Sequence, residues 1–370
     1  MLKTQTSAQT IARLRSAGLA ACALLAGANL VAGISGGLAR FGLPVPAAAM
    51  SSHGGVMVCA FFGTLITLER ALALRHALGL LAPLAAGTGG LLMWAVPGQA
   101  AAEAMWFTAA AALLMLYVAA GLTRAWSLPL GVELAGTVCW IAGILAWAQG
   151  HRDSALLGWM AFLVLTIGGE RRELMQMVRL GPLARISFGG TIGAILVAVA
   201  CGNVAAAGTS IAPWVPTAIW WVACASLSGW LLRWDIAPRM WRRPGWIGHT
   251  AICLTVGYGW LLAGALLGLA ALLRPGGATA VAPHAVLLGF VFAMVFGHAP
   301  IVLPALSGIR PQYSSWARVP IWLLTASLVL RLAGADAGNR ALLAWAGAGH
   351  ALAIALFALI MLLATLRGRR

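Results

Sequence analysis

Five histidines lie in long apolar stretches, and they are the residues whose type and placement could do chemistry: His53, His249, His284, His298 and His350. An ionisable side chain inside hydrocarbon is expensive, so each is a candidate functional residue. His53 opens the run HGGVMVCAFFGTLITLER, and His284 opens HAVLLGFVFAMVFGHAPIVLPALSG, each with a Phe eight residues on, at Phe61 and Phe292. Two imidazoles at one depth, on different helices, suit the two faces of a haem iron. Gly54, Gly55, Gly289 and Gly297 would leave room beside the backbone for a flat macrocycle. The competing reading is two interfacial histidines bonded to water or backbone.

His298 follows His284 by fourteen residues, which on an ideal helix is about 21 Å of rise and about 40° short of whole turns. The two therefore share a face at different depths. Pro300 cannot donate to the helix ladder, and its ring crowds the carbonyl of Phe296, which is thereby offered to another partner. His298 reads either as part of a second, deeper site for haem or copper, or as a hydrogen bond across helices. His249 and Cys253 are four residues apart, as are His53 and Met57, so each pair shares a helix face. Imidazole beside soft sulfur suits copper, and equally suits ordinary packing. His350, ten residues into its apolar run, reads as a further ligand or as an interhelical bond. Glu133, inside an apolar run, is a candidate proton relay. Glu69–Arg70 and Glu170–Arg171–Arg172–Glu173 read as interfacial anchors, and His76 and His151 as solvated loop residues.

The elements that must position these groups follow from composition. The chain has 370 residues, 62% hydrophobic and 9% charged. Soluble domains carry about 25% charged residues. So little charge cannot cover a water-facing surface, and lipid must serve as solvent for much of it. Twelve apolar segments, each near the ~20 residues a helical span needs, run roughly 17–38, 51–74, 77–96, 102–122, 128–148, 154–170, 186–208, 213–232, 246–272, 281–306, 319–334 and 340–366. The expectation is an all-α, polytopic transmembrane bundle, one integral membrane domain over 1–370. With the N-terminus inside, the outer loops hold only Arg40, Arg152, Arg274, Arg331 and Arg340 of the 24 basic residues. That bias places both termini in the cytoplasm, in a cell inner membrane. The net charge of +16 is spread over short loops and forms no nucleic-acid-binding face. Trp94, Trp126, Trp147, Trp214, Trp241, Trp246 and Trp316 fall near predicted span ends, as interfacial belts do. The six cysteines form no CxxC pair, and Ala17–Leu38 is too long for a cleavable signal peptide's apolar core. Nucleotide-binding, nucleophile-elbow and HExxH motifs are missing. So is CxxCH, and any haem would be bound non-covalently.

Twelve spans, cytoplasmic termini, and histidines at the outer ends of spans 2 and 10 resemble the haem-bearing subunit of haem-copper oxidases. That resemblance implies a low-spin haem held by His53 and His284. It departs where the family's tenth helix carries a second histidine, since positions 282 and 286 are Ala282 and Val286, and spans 6 and 7 contain no histidine. Oxygen reduction and proton pumping are not expected. The chain is also similar to the NnrS family of twelve-span haem and copper proteins linked to nitric oxide, through His284, Ala285, Gly289, Met294, Gly297 and His298. This implies a haem b protein, with copper as a second candidate metal, in electron transfer or nitric oxide chemistry, served by a redox partner protein. The alternatives are a proton-coupled transporter using these histidines and Glu133, and a non-catalytic assembly subunit.

Overall fold

Lipid offers the backbone no hydrogen bonds, so a spanning segment must satisfy its own, as a helix does. The structure, a computed structural model, describes the backbone of residues 2–44, 47–74, 77–95, 98–176, 178–274 and 281–368, so His76 lies outside the described residues. These residues are helical with short connections, and no strand occurs among them.

Twelve helical segments follow in chain order. They are α1 (Leu2–Leu38), α2 (Ala47–Gly55, then Val56–Phe62, then Gly63–Leu74), α3 (Leu81–Ala95), α4 (Ala100–Thr123), α5 (Leu128–Ala148) and α6 (Arg152–Leu174). Then come α7 (Pro182–Ala206), α8 (Trp214–Trp234), α9 (Gly245–Leu272), α10 (Val281–His284, then Ala285–Phe292, then Ala293–Ser307), α11 (Val319–Asp336) and α12 (Arg340–Arg367). Eleven of them are long and apolar enough to cross a membrane, and α3 is a shorter apolar helix. The chain is a multi-pass membrane protein.

Local signals set several ends. Ser127 Oγ accepts from the Leu130 amide before Pro129 at the start of α5. Asn339 Oδ1 accepts from the amides of Ala341 and Leu342 at the start of α12. Such caps satisfy amides that have no partner inside the helix. Gly308, at φ 72°, closes α10 in the left-handed region.

The middle stretches of α2 and α10, Val56–Phe62 and Ala285–Phe292, are π-helical. Such wide turns are rare, are mostly single-turn bulges, and often accompany functional sites. A histidine precedes each: His53 lies three residues before the first, and His284 abuts the second.

The chain clusters into two compact units, Met1–Trp159 and Met160–Arg370. In the first, α5 and the start of α6 approach through glycines. A β-carbon on Gly158 would lie 2.8 Å from the Cys139 carbonyl oxygen and 2.9 Å from Gly143 Cα. Small residues let helix backbones meet where lipid gives no hydrophobic drive to association. In the second unit, α7 packs on α8, α8 on α9, α9 on α10, and α11 on α12.

Several expectations change here. Arg171 and Arg172 lie within α6, which runs on to Leu174, and Arg331 lies within α11 rather than in a loop. Of the interfacial tryptophans, Trp126, Trp214, Trp241 and Trp316 are exposed, whereas Trp147 is buried against Trp159 at 5.1 Å with Arg152 over its ring.

Candidate functional site

In the first unit, His53 is half-buried against α1. Its Nδ1 donates to the Gly33 carbonyl at 2.6 Å, and a β-carbon on Gly37 would meet its Cε1 at 3.0 Å. A carbonyl can only accept, so the proton sits on Nδ1 and the lone pair on Nε2. Met57, one turn on, packs against Gly33. The two glycines of α1, four residues apart, thus seat the imidazole and the thioether side by side. Glu133 is buried, and its Oε1 lies 3.4 Å from Arg70 Nη2. The candidate proton relay is thus paired with a guanidinium.

In the second unit, the carbonyl released by Pro300 has found a partner, and it is His249 rather than His298. His249 Nε2 donates to the Phe296 carbonyl at 2.9 Å, and Thr250 Oγ1 donates to the next carbonyl, Gly297, at 2.8 Å. His249 is 0% exposed, and its Nδ1 has no hydrogen-bond partner among the described residues. Cys253 Sγ lies 3.6 Å from the Nε2 already engaged. His249→Leu is expected to leave the Phe296 carbonyl buried and unpaired, lowering stability by about 1–3 kcal/mol. Thermal unfolding in detergent measures this, and an unchanged midpoint would refute the role.

His298 turns back on its own helix, with Nδ1 donating to the Met294 carbonyl at 2.9 Å. Its Nε2 is buried and has no hydrogen-bond partner among the described residues. It lies in the field of Glu170, Arg171 and Asp235. His350 is 6% exposed, and its Nδ1 lies 2.7 Å from Ser327 Oγ, which donates to the Leu324 carbonyl at 2.9 Å. With the serine proton committed there, His350 Nδ1 is the donor, and its Nε2 is a buried lone pair without a partner. His284 differs from the others. Its Nδ1 is 3.5 Å from Arg331 Nη2, the outer limit of a hydrogen bond, so a guanidinium edge faces this imidazole.

Three of the four glycines expected to make room for a macrocycle are otherwise occupied. A β-carbon on Gly55 would meet Trp106 at 2.8 Å, and one on Gly54 would meet Trp159 at 3.8 Å. One on Gly289 would meet Trp260 at 2.5 Å, and one on Gly297 would meet Leu254 at 2.6 Å. At Gly55, Gly289 and Gly297 tryptophan and leucine side chains pack into the space a side chain would need, whereas the contact at Gly54 is an ordinary one. Among the described residues, no three His, Cys, Asp or Glu side chains cluster closely enough to hold a metal ion.

One buried cluster escaped sequence reasoning. Arg171 Nε and Nη2 donate to Asp235 Oδ2 and Oδ1 at 2.8 and 2.9 Å. Tyr258 also donates to Asp235 Oδ2, and the Ala237 amide donates to Oδ1 at 3.1 Å. Arg171 is 5% and Asp235 1% exposed. Burial alone would raise the Asp235 carboxyl, but the Arg171 guanidinium outweighs it and holds the carboxyl below its usual value. The signal was available: Asp235 is the only carboxylate between Glu173 and Asp336. It stood among arginines and resembled a loop residue.

A family described as Domain of unknown function (DUF8744) matches residues 19–366. No curated protein and no solved structure matches the chain. The match takes in the five histidines of the candidate spans and the Arg171–Asp235–Tyr258 cluster, and the chain belongs to the DUF8744 family.

Proposed function

We propose that this chain is a histidine-ligated haem protein of the inner membrane, with twelve spans and both termini cytoplasmic, that works in electron transfer or small-gas chemistry. Nitric oxide is the first candidate gas, by resemblance alone. The observation that carries the reading is the state of four imidazoles. His53, His249, His298 and His350 each give one ring nitrogen to a carbonyl or hydroxyl oxygen. A metal-binding histidine is oriented in this way, with its second nitrogen bearing the lone pair. The same bond fixes the tautomer before any metal arrives, and the ligand must be neutral for binding.

The sequence nominates His53 and His284 as ligands of a haem b. His53 fits by its tautomer. His284 would turn its Nε2 to iron once its Nδ1 donates, with Arg331 displaced from that nitrogen. His298, His249 and His350 remain candidates for a second haem or copper site. Gly55, Gly289 and Gly297, filled by tryptophan and leucine, do not supply the cradle. When bound, haem supplies one-electron redox chemistry and a gas-binding iron. A redox partner protein would deliver the electron.

The test is the visible spectrum of the full chain, purified after expression with ample haem. A Soret band and a reduced-minus-oxidised α band are expected, and a colourless preparation would sink the reading. One observation favours a proton-coupled transporter as the second reading: α2 and α10 are each interrupted by a π-helical stretch, and transporters bind at interrupted helices. Proton uptake coupled to a solute by a colourless protein would support it.

A further inference from the structure

We propose that the loop joining α8 to α9 is a binding site for the phosphate of an anionic phospholipid. Four arginines, Arg233 in the last turn of α8 and Arg239, Arg242 and Arg243 in the loop, lie within eleven residues, and all are exposed. The only carboxylate in the stretch, Asp235, is buried and engaged by Arg171. The exposed charges of the loop are therefore all positive. Guanidinium groups present paired donors that match phosphate oxygens, which a diffuse positive field does not.

The loop is held in shape. Asp235 accepts from the Ala237 amide, Met240 N bonds the Ala237 carbonyl at 2.9 Å, and Arg243 N bonds the Met240 carbonyl at 3.0 Å. Arg239 Nη2 donates to the Arg233 carbonyl at 3.1 Å, which folds the loop back toward the end of α8. The Arg243 carbonyl packs where Gly248 has no side chain. Arginines on a fixed backbone lose less freedom on closing around a ligand.

Free phosphate and a lipid headgroup share this chemistry, and the surroundings favour the lipid. The loop begins and ends at candidate membrane spans, Trp214–Trp234 and Gly245–Leu272. Apolar side chains flank the arginines: Ile236 is 47%, Trp241 50% and Ile247 59% exposed. Arg242 lies 4.7 Å over the Trp241 ring, so cation and indole are presented together. Tryptophan settles at headgroup level, and basic clusters there attract anionic lipid. Acyl chains would lie along Ile236 and Ile247.

The experiment uses the full chain, delipidated in detergent and reconstituted with phosphatidylcholine containing a minority of phosphatidylglycerol. Lipid retained after washing is quantified by mass spectrometry. Wild type is expected to retain phosphatidylglycerol above its supplied fraction, and R239Q/R242Q/R243Q to lose most of that enrichment. Trp241→Ala should weaken it several-fold, and covers the case in which the triple variant fails to fold. Arg185→Gln, an exposed arginine on α7, should leave it unchanged. Equal enrichment in wild type and the triple variant overturns the proposal. So does an Arg185→Gln loss as large as that of the triple variant, which would mean diffuse charge only. Inorganic phosphate displacing the lipid at equal concentration would overturn the lipid assignment.

Discussion

Asp235→Ala is expected to lower the stability of the protein by about 3–5 kcal/mol, the range for removing one partner of a buried ion pair. Arg171 would keep its charge at 5% exposure with its bidentate acceptor gone. The Tyr258 hydroxyl and the Ala237 amide would lose their acceptor at the same time. Asp235→Asn keeps the shape and one acceptor oxygen, so it should fall between. Replacing Arg171 and Asp235 together by apolar residues of similar volume should recover much of the loss, because no lone charge remains. Thermal or denaturant unfolding in detergent reads all three, and an Asp235→Ala variant within about 0.5 kcal/mol of wild type would remove the cluster from any structural role. The pH dependence has a definite sign. The folded carboxyl lies below its usual value, so its contribution is full above the unfolded value of about 3.9 and is lost as pH falls through the folded one. Acid sensitivity from this site should vanish in Asp235→Asn.

His53→Ala and His284→Ala are expected to abolish the same haem absorption. The fold should survive the first change, because the bond from His53 to the Gly33 carbonyl is a single hydrogen bond worth about 1 kcal/mol. Full loss of the Soret band from a protein that stays helical and monodisperse is therefore a ligand effect, not collapse. His53→Ala retaining an unchanged Soret band would exclude His53 from the iron. Loss in His53→Ala together with an unaltered spectrum in His284→Ala would leave His53 in place and move the second ligand. His350 would be the next to change, since its Nε2 is buried without a partner in the same unit as His284.

The helices were legible because hydropathy reports directly on lipid exposure. Leu128–Ala148 coincides with the segment read from sequence, and eight of the other segments contain their expected apolar run, whereas Leu81–Ala95, Pro182–Ala206 and Trp214–Trp234 fall short of theirs by one to four residues at an end. What hydropathy cannot report is the partner. Arg171 looked like an anchor because its acceptor lies 64 residues on, at Asp235. The released Phe296 carbonyl was predictable from Pro300, but the nearest histidine in sequence, His298, bonds its own helix, and His249 on α9 takes the carbonyl. The π-helical stretches left no trace, because in a uniformly apolar run no polar face shifts when the turn widens. The glycines misled for a related reason: a missing side chain marks a close approach without saying whether tryptophan or cofactor approaches.

Proline usually leaves a transmembrane helix with a joint that can flex. Here the two carbonyls at that joint, Phe296 and Gly297, are bonded by consecutive residues of α9, His249 and Thr250. A movement at the joint that carries both carbonyls away from α9 must break both bonds. The elbow is thereby fastened to its neighbour at two adjacent points.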